Sequence, residues 1–303
     1  MVSKRIQWML VVILSVLIIR LGIIDKMSNQ EQFYKQEGAI LVWEAEEDIA
    51  ALVKAENEKA GKENAGLRVF REENRKNYTD MYPDMYVESV KPIILLKEQK
   101  KVYLTFDDGP SHITKDIMDI LKKNQVKATF FIVGSTMKEE EKEYLKQMVD
   151  DGHTIGIHTF SHNYKEIYSS VEAFLEDFYE DYKLIYDITG VQVNIFRFPW
   201  GSYNMYNRGI RDELIGEMKR RGFTYYDWNV SAEDSVGNPT EYKIKKNVLK
   251  DLSRYEEPII LMHDSAINRL TAKSLPEIIK EIQDKGYVFD TLENREPYQF
   301  GNK

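Results

Sequence analysis

From Lys101 onward, short runs of β-branched and aromatic residues alternate with segments whose apolar positions recur at helical spacing. The runs fall at Val102–Phe106, Ala128–Val133, Thr154–Ile157, Val193–Phe198, Phe223–Trp228, Pro258–Met262 and Tyr287–Phe289. The helical segments between them are Thr114–Lys123, Met137–Asp150, Val171–Ile188, Tyr206–Arg221, Glu241–Leu252 and Thr271–Lys285. Seven strands and six helices in alternation predict an α/β domain over residues 99–303, a parallel sheet rolled into a deformed (β/α) barrel. A doubly wound open sheet is the competing architecture. The barrel is favoured by where the unusual residues fall. Asp107-Asp108, His158, Arg197, the stretch Asp227 to Asp234 and His263 all sit at or just past the C-terminal end of a predicted strand. In a barrel those ends converge on one face.

The N-terminal part has a different pattern. Lys4 and Arg5 precede an apolar stretch, Ile6–Ile24, interrupted by Gln7, Ser15 and Arg20. It is long enough to span a bilayer, and no small-x-small cleavage site follows. Residues 1–25 are therefore expected to be an uncleaved signal anchor, a transmembrane helix that leaves the rest of the chain outside the cell. A cleaved signal peptide, and hence a secreted protein, is the alternative. Residues 26–98 are dense in charged and amide side chains, with a weak apolar stripe at Ile49, Leu52, Val53, Leu67 and Phe70. They read as a partly helical spacer.

Composition narrows the chemistry. The hydrophobic fraction of 43% can supply a proper core, and the net charge of -8 argues against a nucleic-acid partner. With no cysteine, any metal must be held by histidine and carboxylate. The five histidines are His112, His153, His158, His162 and His263. His153 at the start of its strand reads as structural, and His112 as a solvent-facing loop residue.

Thr105-Phe106-Asp107-Asp108-Gly109-Pro110 places two adjacent carboxylates at a strand end, where they cannot point the same way. One is free to bind a metal while the other acts as a base. By itself Asp-Gly-Pro is an ordinary turn. At another strand end, His158-Thr159-Phe160-Ser161-His162 spaces two imidazoles to share one side of a helical turn. Together with one carboxylate they form a two-histidine, one-carboxylate set that leaves positions open, the mark of a catalytic metal site. His263 at the same rim is a candidate general acid, and Arg197, a charge inside an apolar strand, requires a carboxylate partner, for which Asp107 is the candidate. Tyr164, Tyr203 and Trp228 are aromatics near the same rim, able to offer stacking faces.

These residues resemble the polysaccharide deacetylases with a NodB-like domain, carbohydrate esterase family 4, over roughly Gln99 to Leu292. Five motifs occur in the family's order: Thr105–Pro110, His158–His162, Arg197–Gly201, Trp228–Asp234 and Leu261–Asp264. The resemblance implies Asp107 as base; Asp108, His158 and His162 as ligands of one divalent ion; and Arg197 as the residue that orients the base. It further implies an oxyanion-binding N–H at Trp200, Asp234 tuning His263 as acid, and Leu261 lining an acetyl pocket. Zinc is the expected ion, with cobalt, manganese, nickel or iron as alternatives. The implied reaction is hydrolytic N-deacetylation of a cell-wall amino-sugar polymer, as in membrane-anchored peptidoglycan N-acetylglucosamine deacetylases. Chitooligosaccharide, exopolysaccharide or acetyl-xylan are alternative substrates. Ser231 departs from the family's aspartate and Ser235 from its pocket-closing tryptophan, which leaves the acyl-group size open. A glycoside hydrolase and a catalytically silent glycan-binding relative are the rival classes.

Overall fold

β-strand β1 (Lys100–Gly109) is buried along nearly its whole length, as a strand covered on both faces must be, and it is the axis of the architecture. The computed structural model describes residues 78–89 and 99–301. The expected signal anchor over 1–25, and the spacer over 26–98 apart from 78–89, lie outside the described residues. Among the described residues no helix is long and apolar enough to cross a membrane.

The other strands are β2 (Thr129–Ile132), β3 (Thr154–Ile157), β4 (Ile195–Phe196), β5 (Thr224–Tyr225), β6 (Val230–Ser231), β7 (Ile259–His263) and β8 (Tyr287–Phe289). They form one sheet in the order β5-β4-β3-β2-β1-β7-β6, with β8 pairing the start of β1, and every pairing is parallel. The seven expected strands are present, and β6 is an additional two-residue strand. The two ends of the path, β5 and β6, are not hydrogen-bonded to each other. The chain passes between them in four residues, Tyr226 to Asn229, without a helix. The C-terminal segment fills this seam: Asp227 N–H donates to Tyr298 O, Tyr226 Oη to Arg295 O, and Phe300 N–H to Asp227 Oδ2.

The helices are α1 (His112–Lys123), α2 (Lys142–Asp150), α3 (Tyr164–Ile167), α4 (Val171–Thr189), α5 (Arg211–Arg220), α6 (Glu241–Asp251) and α7 (Arg269–Asp284). Their ends follow local chemistry. In α1, Ser111 and Thr114 form a reciprocal capping box, and Ile113, Ile117, Met118 and Leu121 make the buried stripe. In α4, Ser170 caps the start and Gly190, at φ 72°, ends the helix in a left-handed turn. α5 starts at Arg211, later than the periodicity predicts, because Asn204 Oδ1 accepts from the N–H groups of Tyr206 and Asn207 and holds those residues in a loop. The segment expected as one helix from Met137 begins instead with short turns before α2.

The compact unit begins at Tyr78, earlier than the composition suggests. Tyr78 and Met85 are buried in the main core. Arg221, itself buried, donates to the carbonyls of Tyr78, Met81 and Tyr82, and Val87 N–H donates to Arg221 O. Tyr78, Met81, Tyr82 and Met85 fall at helical spacing, but Pro83 stands between them and the segment forms turns, and the charged stretch before it hides its place in the core.

Candidate active site

The C-terminal end of β1 separates the two aspartates. Asp107 is the register partner of His263 on β7, while the register against β2 shifts between Asp107 and Gly109. Asp108 lies in the left-handed region at φ 72°, so neighbouring carboxylates turn to different sides. Asp107 is buried and accepts from Arg197 Nη1 at 2.8 Å. Asp108 directs Oδ1 to the histidines, 3.6 Å from His158 Nε2 and 3.4 Å from His162 Nε2.

His158 and His162 are not on a helical turn, as their spacing suggests. They occupy an irregular loop between β3 and α3, with Thr159 at φ 71° and His162 at φ 54°. Asp177 of α4 holds that loop by accepting from the N–H groups of Phe160 and Ser161. Left-handed backbone at non-glycine residues costs of order 1–3 kcal/mol each and persists where surroundings over-determine it. Asp108, Thr159, His162, Trp200 and Glu233 share this conformation around one rim.

The donor set fits a divalent cation. Each of Asp108, His158 and His162 offers one ligand atom, all within 4.8 Å of one another. His158 Nδ1 is engaged with Arg197 O at 2.8 Å, which leaves Nε2 for the cluster. Burial, then the His162 charge, holds His158 well below the ordinary histidine range; burial also lowers His162, against the pull of Asp108. Both rings are therefore neutral and able to ligate. Asp108 Oδ1 is buried without a hydrogen-bond partner, an orphan that a cation would satisfy. Two nitrogens and one oxygen suit zinc and its neighbours and leave coordination positions open.

Arg197, fully buried, donates from Nη1 to Asp107 Oδ1 and Thr105 Oγ1, each at 2.8 Å, and from Nε to Tyr226 O at 2.9 Å. Its guanidinium lies over Phe131 at 4.3 Å. Burial raises Asp107 to about 6, with the Arg197 charge opposing the rise. Asp107 Oδ2, 3.7 Å from His158 Nε2, faces the cluster. His263 Nδ1 pairs with Asp234 Oδ1 at 2.8 Å, and the same carboxylate accepts from His263 N–H and from Thr271 Oγ1. Burial opposes the charged ring, but the Asp234 hydrogen bond and charge override it and lift His263 to about 9. A carboxylate held near 6 and an imidazole held near 9 thus occupy partnered positions on adjacent strands.

The remaining sequence candidates divide. Trp200, at φ 63° and 42% exposed, packs its ring 4.6 Å from His162 and edge-on to Tyr164 at 5.5 Å. Tyr206, not singled out in the sequence, completes that platform, 4.3 Å from Tyr164 and 5.5 Å from Trp200. Leu261 is buried as the register partner of Thr105 and Ser231. Trp228 is not a free stacking surface: it is half-buried under Arg197 at 5.7 Å and meets the edge of Phe300 at 5.0 Å. Tyr203 is 61% exposed, but Arg211 covers its ring at 3.8 Å. It lines a groove of about 580 Å³ with Lys219, Tyr225 and Phe300, which Asp107, Asp108, His158, His162 and His263 do not line. Ser235 Oγ accepts from Asn268 Nδ2 at 2.9 Å, and Ser231 Oγ from Glu233 N–H.

His112 is exposed but opens α1, so it is helical rather than part of a loop. His153, at the opposite end of β3 from His158, accepts from Ala128 N–H at Nδ1, and burial pushes it down to about 4. Residues that the sequence did not single out support the site from behind: Thr105, Asp177, Thr271 and Asp264. Burial raises Asp264 to about 7, with the Thr114 hydroxyl opposing. In the sequence it stands out only as the last residue of the Leu261–Asp264 motif.

The polysaccharide deacetylase family model matches residues 96–216. A peptidoglycan-N-acetylglucosamine deacetylase of Bacillus cereus is 34% identical over 199 residues, covering 64% of this chain and 70% of that protein. A peptidoglycan-N-acetylmuramic acid deacetylase of Bacillus subtilis, PdaA, is 30% identical over 201 residues, covering 65% of this chain and 72% of that protein. Among solved structures, the catalytic domain of a peptidoglycan N-acetylglucosamine deacetylase from Eubacterium rectale aligns at TM-score 0.64 and 31% identity. It covers 73% of this chain and 99% of that one.

Proposed function

The chain belongs to the polysaccharide deacetylase family, and from that premise we propose that it hydrolyses N-acetyl groups from peptidoglycan, with N-acetylglucosamine as the sugar. The observation that carries this reading is the pairing of Asp107 and His263 across β1 and β7, beside a three-donor cluster with one orphaned oxygen. The substrate is supported by the peptidoglycan deacetylases among the relatives.

When bound at Asp108, His158 and His162, a divalent cation supplies positive charge that polarises an amide carbonyl and lowers the pKa of a water; zinc suits this donor set. Asp107, ionised above about pH 6 and aimed by Arg197, accepts the proton of the attacking water at Oδ2. The Trp200 N–H is assigned to the developing oxyanion, an interaction worth about 3 kcal/mol per donor in comparable sites. Protonated His263, held through Nδ1 by Asp234, gives the Nε2 proton to the departing amine. Leu261 lines the acetyl pocket, and the Trp200, Tyr164 and Tyr206 rings flank the sugar. With Asp107 as the base and Asp108, His158 and His162 as cation ligands, water is the attacking nucleophile in this reading.

The apolar stretch after Lys4 and Arg5 supports an N-terminal anchor that presents the enzyme to the wall from outside the membrane. Acetate release by the full-length chain from peptidoglycan, chitooligosaccharide and acetyl-xylan, with and without chelator, tests the proposal. Chelator-sensitive release that is fastest from peptidoglycan is expected. New reducing ends without acetate would establish a glycoside hydrolase, and glycan binding without turnover a silent relative.

A further inference from the structure

Asp264 follows the acid histidine and is fully buried, yet none of the steps above uses its carboxylate. Its backbone N–H donates to Asp107 O at 3.0 Å, extending the β1–β7 ladder one rung beyond His263. Its carbonyl accepts from Ser111 Oγ at 2.6 Å, the side chain that caps α1. Its Oδ2 accepts from Thr114 Oγ1 at 2.6 Å, while Oδ1 is buried without a partner. The carboxylate also presses on Gly109: a methyl group built there would fall directly on it. One residue therefore braces the turn after Asp107 and Asp108 from both of its sides.

A buried carboxylate with one orphaned oxygen is an expensive way to fill space, since an apolar side chain would leave no unmade hydrogen bond. What the carboxylate does that an alkyl group cannot is hold Thr114, and through it the α1 cap, against the outgoing side of the Asp108 turn. Asp108 needs that hold, because its left-handed backbone is what directs Oδ1 to His158 and His162.

We infer that Asp264 is a positioning residue: it locks the Asp107–Asp108 turn to the strand end bearing His263, and so sets both the aim of the cation ligand and the spacing of base and acid. The inference rests on the proposed roles of Asp107, Asp108 and His263. Outer-shell partners of metal ligands typically change cation affinity by about 10- to 100-fold when removed. A misplacement of reacting groups by about 1 Å costs roughly 100-fold in rate.

The test uses the full-length chain and two readouts, zinc affinity by competition with a chromophoric chelator and acetate release. Asp264→Ala is expected to weaken zinc binding at least about tenfold and lower kcat about 100-fold with KM within about threefold. Asp264→Asn, which keeps the volume and the acceptor for Thr114, is expected to restore most of both. Thr114→Val, which removes the hydrogen bond to Asp264 together with the acceptor for Ser111 N–H in the α1 cap, is expected to shift both readouts in the same direction by less, and it substitutes if Asp264→Ala does not fold. Unchanged zinc affinity and kcat in Asp264→Ala, or in Thr114→Val where it substitutes, with only a lower Tm, would overturn the inference. Absence of acetate release from the unaltered chain would instead overturn the functional reading on which it rests.

Discussion

Among the described residues two arginines are fully buried, at opposite ends of the strands, and only one of them meets the candidate site. Arg221, just before β5, is saturated: Nε bonds Glu217 at 2.7 Å, and the guanidinium also reaches the carbonyls of Tyr78, Met81 and Tyr82. Its carboxylate partner is spent too, since Glu217 also takes both contacts from Arg220. Arg197 at the other end holds Asp107 by one oxygen only, and leaves Oδ2 facing His158 Nε2. A buried cation with every partner matched makes scaffold. A buried cation whose partner keeps a free oxygen, next to an orphaned second carboxylate, makes a reactive site.

The sharpest way to break this contrast is to neutralise the free oxygen. Asp107→Asn keeps the shape and the Arg197 contact but removes the base, and kcat for acetate release is expected to fall about 10³-fold with Tm little changed. The next is pH. Asp107 must be ionised and His263 protonated, so kcat/KM is expected to rise through about pH 6 and fall through about pH 9. A bound cation beside Asp107 pulls the lower limb further down. In Asp234→Asn, the charge that lifts His263 is gone, so the upper limb is expected to move to lower pH while the lower limb stays. A fixed upper limb would remove His263 from the acid role.

The scaffold arginine gives the opposite signature. Arg221→Met strands the carbonyls of Tyr78, Met81 and Tyr82 and leaves Glu217 with Arg220 alone, so stability is expected to drop by about 3 kcal/mol, a Tm fall on the order of 10 °C. The kcat of the folded enzyme is expected to stay within about twofold. Smallest of all is His153→Gln, at the N-terminal end of the strand that carries His158. It is expected to cost about 1 kcal/mol, for the hydrogen bond to Ala128 N–H, and to leave activity and cation affinity unchanged.

The strand–helix alternation was legible because each element buries a continuous face, and burial imposes a period of two or 3.6 on the chain. The cluster residues were legible because carboxylate, imidazole and guanidinium groups are out of place at the ends of apolar strands. What could not be read has a common cause: it depends on contacts between distant segments with no period of their own. β6 is two residues long, and Tyr298 and Phe300 matter only because the β5–β6 seam is open to them. Residues 78–89 look like spacer until Arg221 is seen to collect their carbonyls. Asp264 looked like the end of a motif, and its hold on Thr114 and Gly109 spans some 150 positions in sequence. The helical turn expected for His158 and His162 failed for a local reason, since Asp177 accepts the N–H groups between them and stabilises a loop.

Cation stoichiometry measured together with turnover tests the central claim most directly. The full-length chain, stripped with chelator and titrated with zinc, is expected to regain acetate release in proportion to bound ion, saturating at one ion per chain. Asp108→Ala and His162→Ala are expected to lose both binding and release. Full release from the stripped chain, or unimpaired zinc binding in these variants, would contradict it.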